Sequence, residues 1–99
     1  MPIDLLLQWL RGKPTRRPDL LLVFYTRAGC GLCDDALQMV VRLQKAYCFS
    51  LEVIDIDTDP ELVRAHGNWV PVIAISGVVR FRGRINEVLL RRVLDAAPT

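Results

Sequence analysis

The chain has 99 residues, of which 52% are hydrophobic and 24% are charged. This length predicts one domain with a single core, and the composition is that of an ordinary globular protein. The formal net charge is only +2, with acidic and basic residues interleaved, so the charge pattern indicates no nucleic-acid partner. No apolar run approaches the length of a transmembrane helix, so we expect no membrane span.

The three cysteines are Cys30, Cys33 and Cys48. They are too few and too irregularly spaced for the disulfide framework of a secreted domain, and an odd number leaves one thiol unpaired. The first ten residues have no basic stretch and no small-residue cleavage site, so they are a poor match to a signal peptide. These features favour a reducing compartment, and we predict a cytoplasmic protein.

Residues 1–19 are predicted to form a segment outside the main domain, which spans residues 20–99. An apolar helical face is predicted over residues 2–11 and carries Ile3, Leu6, Leu7 and Leu10. A basic linker with two prolines follows over residues 11–18. The apolar helix must cover its face, which it can do by docking on its own domain, by forming a dimer or by lying on a membrane surface.

The main domain opens with residues 20–26, a continuous apolar run that predicts a strand buried on both faces. An amphipathic helix follows, with apolar residues at helical spacing that include Ala36, Leu37, Val40, Val41, Leu43 and Tyr47. Cys30 and Cys33 stand between the strand and the body of this helix. The pattern therefore places a C-x-x-C at a helix N-terminus.

This placement predicts a reactive dithiol. Unpaired N–H groups and the positive end of the helix dipole favour an anion, so they lower the pKa of a thiol placed there. Two cysteines three residues apart allow one to attack a disulfide and the other to resolve the mixed disulfide. Half of a metal site and a pair of structural cysteines remain alternatives. The further soft ligands are Cys48 and His66, and neither belongs to a second closely spaced pair.

The rest of the chain predicts further strands and helices. Residues 49–56 predict a strand parallel to the first, because a helix connects the two. Asp59 as N-cap, Pro60 at the first helical position and Gly67 as a stop predict a short helix over residues 60–66.

Two more strands and a last helix complete the prediction. A proline opens the apolar strand within residues 68–75, a turn at Ser76 and Gly77 follows, and residues 78–82 return antiparallel. Asn86 is a suitable N-cap for a closing helix that Pro98 ends. The order predicts an α/β fold in which helices flank a four-stranded mixed sheet.

These residues resemble the thioredoxin superfamily and, within it, the glutaredoxins and small glutaredoxin-like proteins. The resemblance covers residues 20–97 and rests on the C-x-x-C after an aromatic-ended strand, on Val70-Pro71-Val72, and on Gly77 and Gly83. It implies a thioredoxin-like fold and thiol–disulfide oxidoreductase activity. The implied substrate is a disulfide-containing protein or a glutathione mixed disulfide.

The resemblance also implies roles for the cysteines and for the loop before the third strand. Cys30 would be the exposed nucleophile and Cys33 the buried resolving thiol. Pro71 would be cis and face the pair, leaving the backbone of Val70 to pair with an extended substrate. Trp69 would lie near the dithiol, either in a substrate groove or as a cover for the core edge.

The resemblance also implies residues that would contact glutathione, the candidate reductant. It implies no other cofactor. Arg27 matches a basic residue near the nucleophile that can meet the glycyl carboxylate of glutathione. Gly31 and Leu32 stand where most glutaredoxins have proline and an aromatic, and we expect them at the substrate surface. Glutaredoxins have a pair of glycines that receives the γ-glutamyl end of glutathione, and in this sequence only the second, Gly83, is present.

Two other functions fit the same residues. Glycine after the first cysteine also occurs in cluster-holding relatives, in which Cys30 would be a ligand and a dimer with external thiols would complete the shell. The alternative is a thioredoxin-like scaffold whose N-terminal helix binds a partner protein. For the dithiol reading we expect no metal.

Overall fold

The structure is a computed structural model that describes residues 16–98. The predicted helix over residues 2–11 and most of the basic linker lie outside the described residues. The predicted boundary between residues 19 and 20 stays a prediction.

The described chain alternates strands and helices. Its elements are strand β1 (Leu21–Thr26), helix α1 (Gly31–Tyr47), strand β2 (Ser50–Asp55), a 3-10 turn (Ile56–Thr58), helix α2 (Pro60–His66), strands β3 (Val72–Ile75) and β4 (Val78–Arg82), and helix α3 (Glu87–Ala96). The strand order in the sheet is β2-β1-β3-β4, with β1 and β2 parallel and the other pairs antiparallel. The predicted α/β class and mixed four-stranded sheet are confirmed.

One face of the sheet packs against α1 and α3 to form the core. The sheet contributes Leu22, Phe24, Ile73 and Ile75, and the two helices contribute Val40, Leu43, Leu90 and Leu94, all buried. The helical periodicity seen in the sequence therefore marks most of the residues that α1 and α3 bury. Val41, which was given to the same apolar face, is exposed.

The prediction that the first strand is buried on both faces is wrong. Leu22 and Phe24 are fully buried, whereas Leu21, which points to the opposite face, is 41% exposed. On that face the ring of Tyr25 packs against His66 of α2, with 4.5 Å between ring centroids. Because α2 has only seven residues, it covers part of this face, and β1 alternates between buried and partly exposed side chains.

The predicted helix ends are confirmed. The side chains of Asp59 and Asn86 accept hydrogen bonds from Glu61 N–H (2.9 Å) and Leu89 N–H (3.1 Å). Gly67 ends α2 where a Cβ atom would lie 2.6 Å from the carbonyl oxygen of Val63, so the position has no room for a side chain. These signals fix where the loops around the sheet begin.

Arg17, predicted within the basic linker, is held against the domain. Its guanidinium donates to the carbonyl oxygens of Leu94 (2.8 Å) and Ala97 at the end of α3, and its N–H donates to Tyr47 O (2.6 Å) at the end of α1. A cation at a helix C-terminus pairs with carbonyls that lack helical partners. Within residues 16–98, no helix has both the length and the apolar character needed to span a membrane.

Candidate active site

The loop from β1 to α1 presents the two cysteines. β1 ends at Thr26, the chain turns at Ala28 and Gly29, and Cys30 is the N-cap of α1. Gly29 has φ +76°, a left-handed conformation that favours glycine. The predicted position of the C-x-x-C at a helix N-terminus is thus confirmed.

Cys30 and Cys33 are joined by a disulfide, with their Cα atoms 5.2 Å apart. This separation is within the range that the bond requires, roughly 4.4–6.8 Å. Cys30 is partly exposed, whereas Cys33 is 1% exposed. The two sulfurs therefore differ in access, and Cys30 is the one that a large partner can reach.

The sulfur of Cys30 lies at the positive end of the α1 dipole, beside a backbone N–H group. The backbone N–H of Cys33 donates to Cys30 Sγ at 3.2 Å, as in an N-cap hydrogen bond. In the reduced protein the same N–H and the dipole of the 17-residue helix favour a thiolate at Cys30. Asp34 and Asp35 are exposed in the first turns, where their charge opposes a thiolate.

The loop before β3 lies against the cysteine pair. The Val70–Pro71 peptide bond is cis, and the carbonyl oxygen of Val70 is 4.0 Å from Cys30 Sγ. Gly83 N–H donates to the carbonyl oxygens of Trp69 (2.8 Å) and Pro71 (2.9 Å), so Gly83 holds this loop from the side of β4. Among residues 16–98, the backbone of Val70 itself makes no backbone–backbone hydrogen bond.

Apolar side chains stand at the surface of both loops. Trp69 is 58% exposed on the loop before β3, and Leu32 is 42% exposed between the two cysteines. Gly31, the first residue of α1, leaves open space beside it. Gly31 and Leu32 are thus exposed directly after Cys30 in the chain, and exposed Trp69 directly precedes Val70, whose carbonyl oxygen lies near Cys30 Sγ.

The predicted partner of Arg27 is a carboxylate of glutathione, but in the structure its guanidinium binds a carboxylate of the chain itself. Its Nε and Nη2 atoms donate to the carboxylate of Asp57, with the shortest contact at 2.8 Å. The hydrogen bonds and charge of Arg27 lower the pKa of Asp57, and those of Asp57 raise the pKa of Arg27. Asp57 was not predicted from the sequence, although the acidic run that follows β2 comes at the same sheet edge as the end of β1.

Cys48 lies far from the dithiol, and His66 packs against Tyr25. Cys48 caps the opposite end of α1, which at 1.5 Å per residue is roughly 25 Å from Cys30. Burial first, and then the charge of Arg82, lower the pKa of His66, and its Nδ1 has no hydrogen-bond partner within the described chain. Within residues 16–98, no three histidine, cysteine or acidic side chains are grouped as metal ligands would be.

Comparisons with known proteins match this geometry. The model of the family described as "Glutaredoxin-like domain (DUF836)" matches residues 21–95. A search of the curated proteins found no match. A structural-genomics target protein from X. campestris is 32% identical, with 78% of this chain and 99% of that chain covered and a TM-score of 0.64.

Two further solved structures are similar. A protein from Nitrosomonas europaea is 32% identical, with 72% of this chain and 86% of that chain covered and a TM-score of 0.63. The thioredoxin of Fasciola hepatica is 22% identical over 93% of this chain and 89% of that chain, with a TM-score of 0.59, and shows the shared fold. The chain has the thioredoxin-like fold, with a C-x-x-C pair at disulfide distance, and it belongs to the family of glutaredoxin-like domains.

Proposed function

We propose that this protein is a thiol–disulfide oxidoreductase in which Cys30 attacks the substrate and Cys33 resolves the mixed disulfide. The observation that carries the proposal is the asymmetry of the pair at the start of α1. Cys30 is partly exposed and accepts a hydrogen bond from Cys33 N–H, while the Cys33 side chain is buried behind it. The accessible sulfur is thus the one whose anion the helix favours.

The reaction begins from the reduced dithiol. The Cys30 thiolate attacks one sulfur of a substrate disulfide, the substrate S–S bond breaks, and the departing sulfur leaves as a thiolate that takes up a proton. Cys33 then loses its proton and attacks the Cys30 sulfur. This step releases the second substrate thiol and leaves the Cys30–Cys33 disulfide, so two electrons pass from the protein to the substrate.

The loop before β3 supports a role in holding the substrate. The backbone of Val70 lies beside Cys30 and is not engaged in the sheet, so it can pair with an extended polypeptide as an added strand does. Trp69 and Leu32 offer apolar contacts on either side. We propose a disulfide-containing protein as the substrate class, held through these three residues and Pro71.

Return to the dithiol requires an external thiol reductant. Glutathione is our candidate, and Arg27 and Gly83 are the residues we propose would bind it. Arg27 would then exchange the carboxylate of Asp57 for a carboxylate of glutathione. Two electrons must come from two glutathione molecules, which leave joined as glutathione disulfide. A reducing compartment supplies such thiols, and we propose the cytoplasm as the location.

The test follows reduction of a polypeptide disulfide by the full-length chain with excess reductant. Cys30→Ser is expected to abolish activity. Cys33→Ser, reduced beforehand and then separated from the reductant, is expected to stop at a mixed disulfide with the substrate, whose added mass is seen by mass spectrometry. Cys48→Ser is the matched control, because Cys48 lies at the far end of α1, and it is expected to retain activity. Full activity in Cys30→Ser would overturn the proposal.

A further inference from the structure

His66 is a buried polar side chain on the face of the sheet opposite to the main core. It is the last residue of α2 and is 9% exposed, and its ring packs on that of Tyr25 in β1. Tyr25 pairs with Val72 of β3, and Val72 pairs with Arg82 of β4. Because residues opposite each other in a ladder share a face, these three form one row on the face that α2 covers. His66 therefore packs where β1 ends and β3 begins.

The backbone of His66 is joined to the loop that precedes β3. Its carbonyl oxygen accepts a hydrogen bond from Trp69 N–H (2.9 Å), and the carbonyl oxygen of Trp69 accepts one from Gly83 N–H (2.8 Å). Both backbone polar groups of Trp69 are thus engaged. The next residue is Val70, whose carbonyl oxygen is 4.0 Å from Cys30 Sγ. The residue that packs the end of α2 on β1 is therefore also one of the two that hold Trp69 near the dithiol.

The surroundings of the His66 ring favour its neutral form. Its Nδ1 atom is buried and has no hydrogen-bond partner within residues 16–98, so a proton added there would find no acceptor. The ring of Tyr25, uncharged at neutral pH, faces it from β1, and the charge of Arg82 acts on it from β4. On its own helix, Arg64 and Glu61 are exposed and pair with each other. Protonated His66 would thus be a buried cation repelled by a second cation.

We infer that His66 is a positioning residue for the substrate loop, residues 69–71, because its neutral ring, packed on Tyr25, fixes the end of α2 from which the loop is held beside Cys30. The inference rests on the proposed function and adds a residue that does not touch the substrate. It makes the capture of a polypeptide, which pairs with the backbone of Val70, depend on His66. Capture of a small disulfide needs only the sulfur of Cys30 and does not depend on His66.

The experiment compares two reagents on the full-length protein with Cys33→Ser and Cys48→Ser, the parent protein, in which Cys30 is the one remaining thiol. One reagent is a short uncharged peptide with blocked ends, whose single cysteine forms a mixed disulfide with thionitrobenzoate. The other is 2-mercaptoethanol in the same mixed disulfide. Attack by the Cys30 thiolate on the peptide or mercaptoethanol sulfur forms a new disulfide and releases thionitrobenzoate, which is followed by its absorbance.

The quantity measured is the ratio of the two second-order rate constants, peptide over mercaptoethanol. Both reactions have the same nucleophile and the same leaving group, so the ratio reports the contribution of the substrate loop. At pH 7.5, His66→Ala is expected to lower the ratio about three- to tenfold, as loss of an aromatic contact predicts. His66→Phe keeps a ring on Tyr25 and is expected to keep the ratio of the parent protein.

The pH dependence gives a readout that a purely structural role would not change. Between pH 7.5 and 5 the ratio is expected to fall in the parent protein, as the pH decreases through the folded pKa of His66, which burial and Arg82 lower. It is expected to stay constant in His66→Phe and His66→Ala, which have no group that titrates at this position. Arg17→Ala, at the end of α1 far from Cys30, controls for a general loss of stability and should keep the ratio.

The outcomes separate this inference from the proposed function. An equal ratio in His66→Ala and the parent protein at pH 7.5 would overturn the positioning role and leave the chemistry of Cys30 intact. A ratio that stays constant with pH in the parent, or that falls equally in His66→Phe, would do the same. If circular dichroism shows that His66→Ala does not fold, the pH profiles of the parent and of His66→Phe decide. Failure of Cys30 to release thionitrobenzoate from either reagent would overturn the proposed function instead.

Discussion

Arg27 and Asp57 form a bidentate ion pair at the sheet edge where the carboxyl ends of β1 and β2 meet. The Nε and Nη2 atoms of Arg27 donate to the Asp57 carboxylate, and the two side chains are 36% and 45% exposed. Thr26 pairs with Asp55 in the parallel ladder, which brings the residues that follow each strand to the same sheet edge. The positive charge three residues before Cys30 is therefore largely compensated.

This ion pair predicts how the charge of a substrate affects its rate. Asp57→Asn leaves Arg27 uncompensated, so the rate with an anionic disulfide, dithiodipropionate, should rise relative to that with neutral bis(2-hydroxyethyl) disulfide. For groups this exposed we expect about a two- to fivefold change in the ratio at low salt, lost at high salt. Glu52→Gln, which removes an exposed carboxylate on β2, should leave the ratio unchanged. An unchanged ratio in Asp57→Asn would show that Arg27 does not act at the dithiol.

His66 predicts a loss of stability in mildly acidic solution. Burial and Arg82 lower its pKa in the folded protein, so the unfolded chain binds the proton more readily. The contribution of neutral His66 is complete above the unfolded pKa of about 6.5, and it falls as the pH decreases below that value toward the folded pKa. Urea unfolding between pH 7.5 and 5 should show this fall, and His66→Gln should remove it.

The carboxylates of Asp57 and Glu87 change the free energy of unfolding in a lower pH range than His66 does. Their ion pairs lower the pKa values of Asp57 and Glu87 in the folded protein, the first through Arg27 and the second mainly through Arg42. Their stabilising effect is present above the unfolded values of about 4 and is lost as the pH falls through the lower folded values. A fall between pH 7.5 and 5 that persists in His66→Gln would contradict the assignment to His66.

Arg17 predicts that the start of the described chain stabilises the end of α3. Arg17→Ala removes the donor to the carbonyl oxygens of Leu94 and Ala97, so the urea midpoint should fall. Arg17→Lys keeps the charge without the planar set of donors and should recover part of the loss. The neighbouring Arg16→Ala is the control, because Arg16 is exposed. Equal midpoints for the two alanine variants would contradict this role.

Substitution by alanine should change the free energy of unfolding differently at Gly67 and at Gly31. Gly67→Ala places a Cβ atom 2.6 Å from Val63 O, so the end of α2 must shift, at a cost of about 1–3 kcal/mol in the free energy of unfolding. Gly31→Ala meets open space at the start of α1 and should be neutral or slightly stabilising. Urea titration of both variants gives the comparison, and a loss in Gly31→Ala equal to that in Gly67→Ala would contradict it.

Local signals in the sequence were sufficient for the order of elements and for the position of the dithiol. The cap residues Asp59 and Asn86 act within three residues of themselves, and the C-x-x-C is defined by its own helix turn. Only the family resemblance predicted that Val70 and Pro71 lie at the site. They follow Cys33 by 37 residues or more, and no local pattern connects the two segments.

Relationships between distant segments escaped the sequence analysis. The partner of Arg27 is 30 residues away, and the choice of Asp57 over the nearby Asp55 and Asp59 is made by the 3-10 turn, in which Asp55 accepts from Asp57 N–H. His66 packs against Tyr25, a contact between distant parts of the chain, because the short α2 lies on the second face of the sheet. The exposure of Leu21 has the same origin.

The most direct test of the activation of Cys30 is alkylation of the reduced protein with iodoacetamide across a pH series, with each cysteine followed by mass spectrometry. Free cysteine has a pKa of about 8.5, and Cys48 serves as the comparison within the same chain. Cys30 is expected to be alkylated first, with an apparent pKa below that value, while buried Cys33 is expected to react last. An apparent pKa of Cys30 at or above 8.5, or faster alkylation of Cys33 than of Cys30, would contradict the claim that the start of α1 activates Cys30.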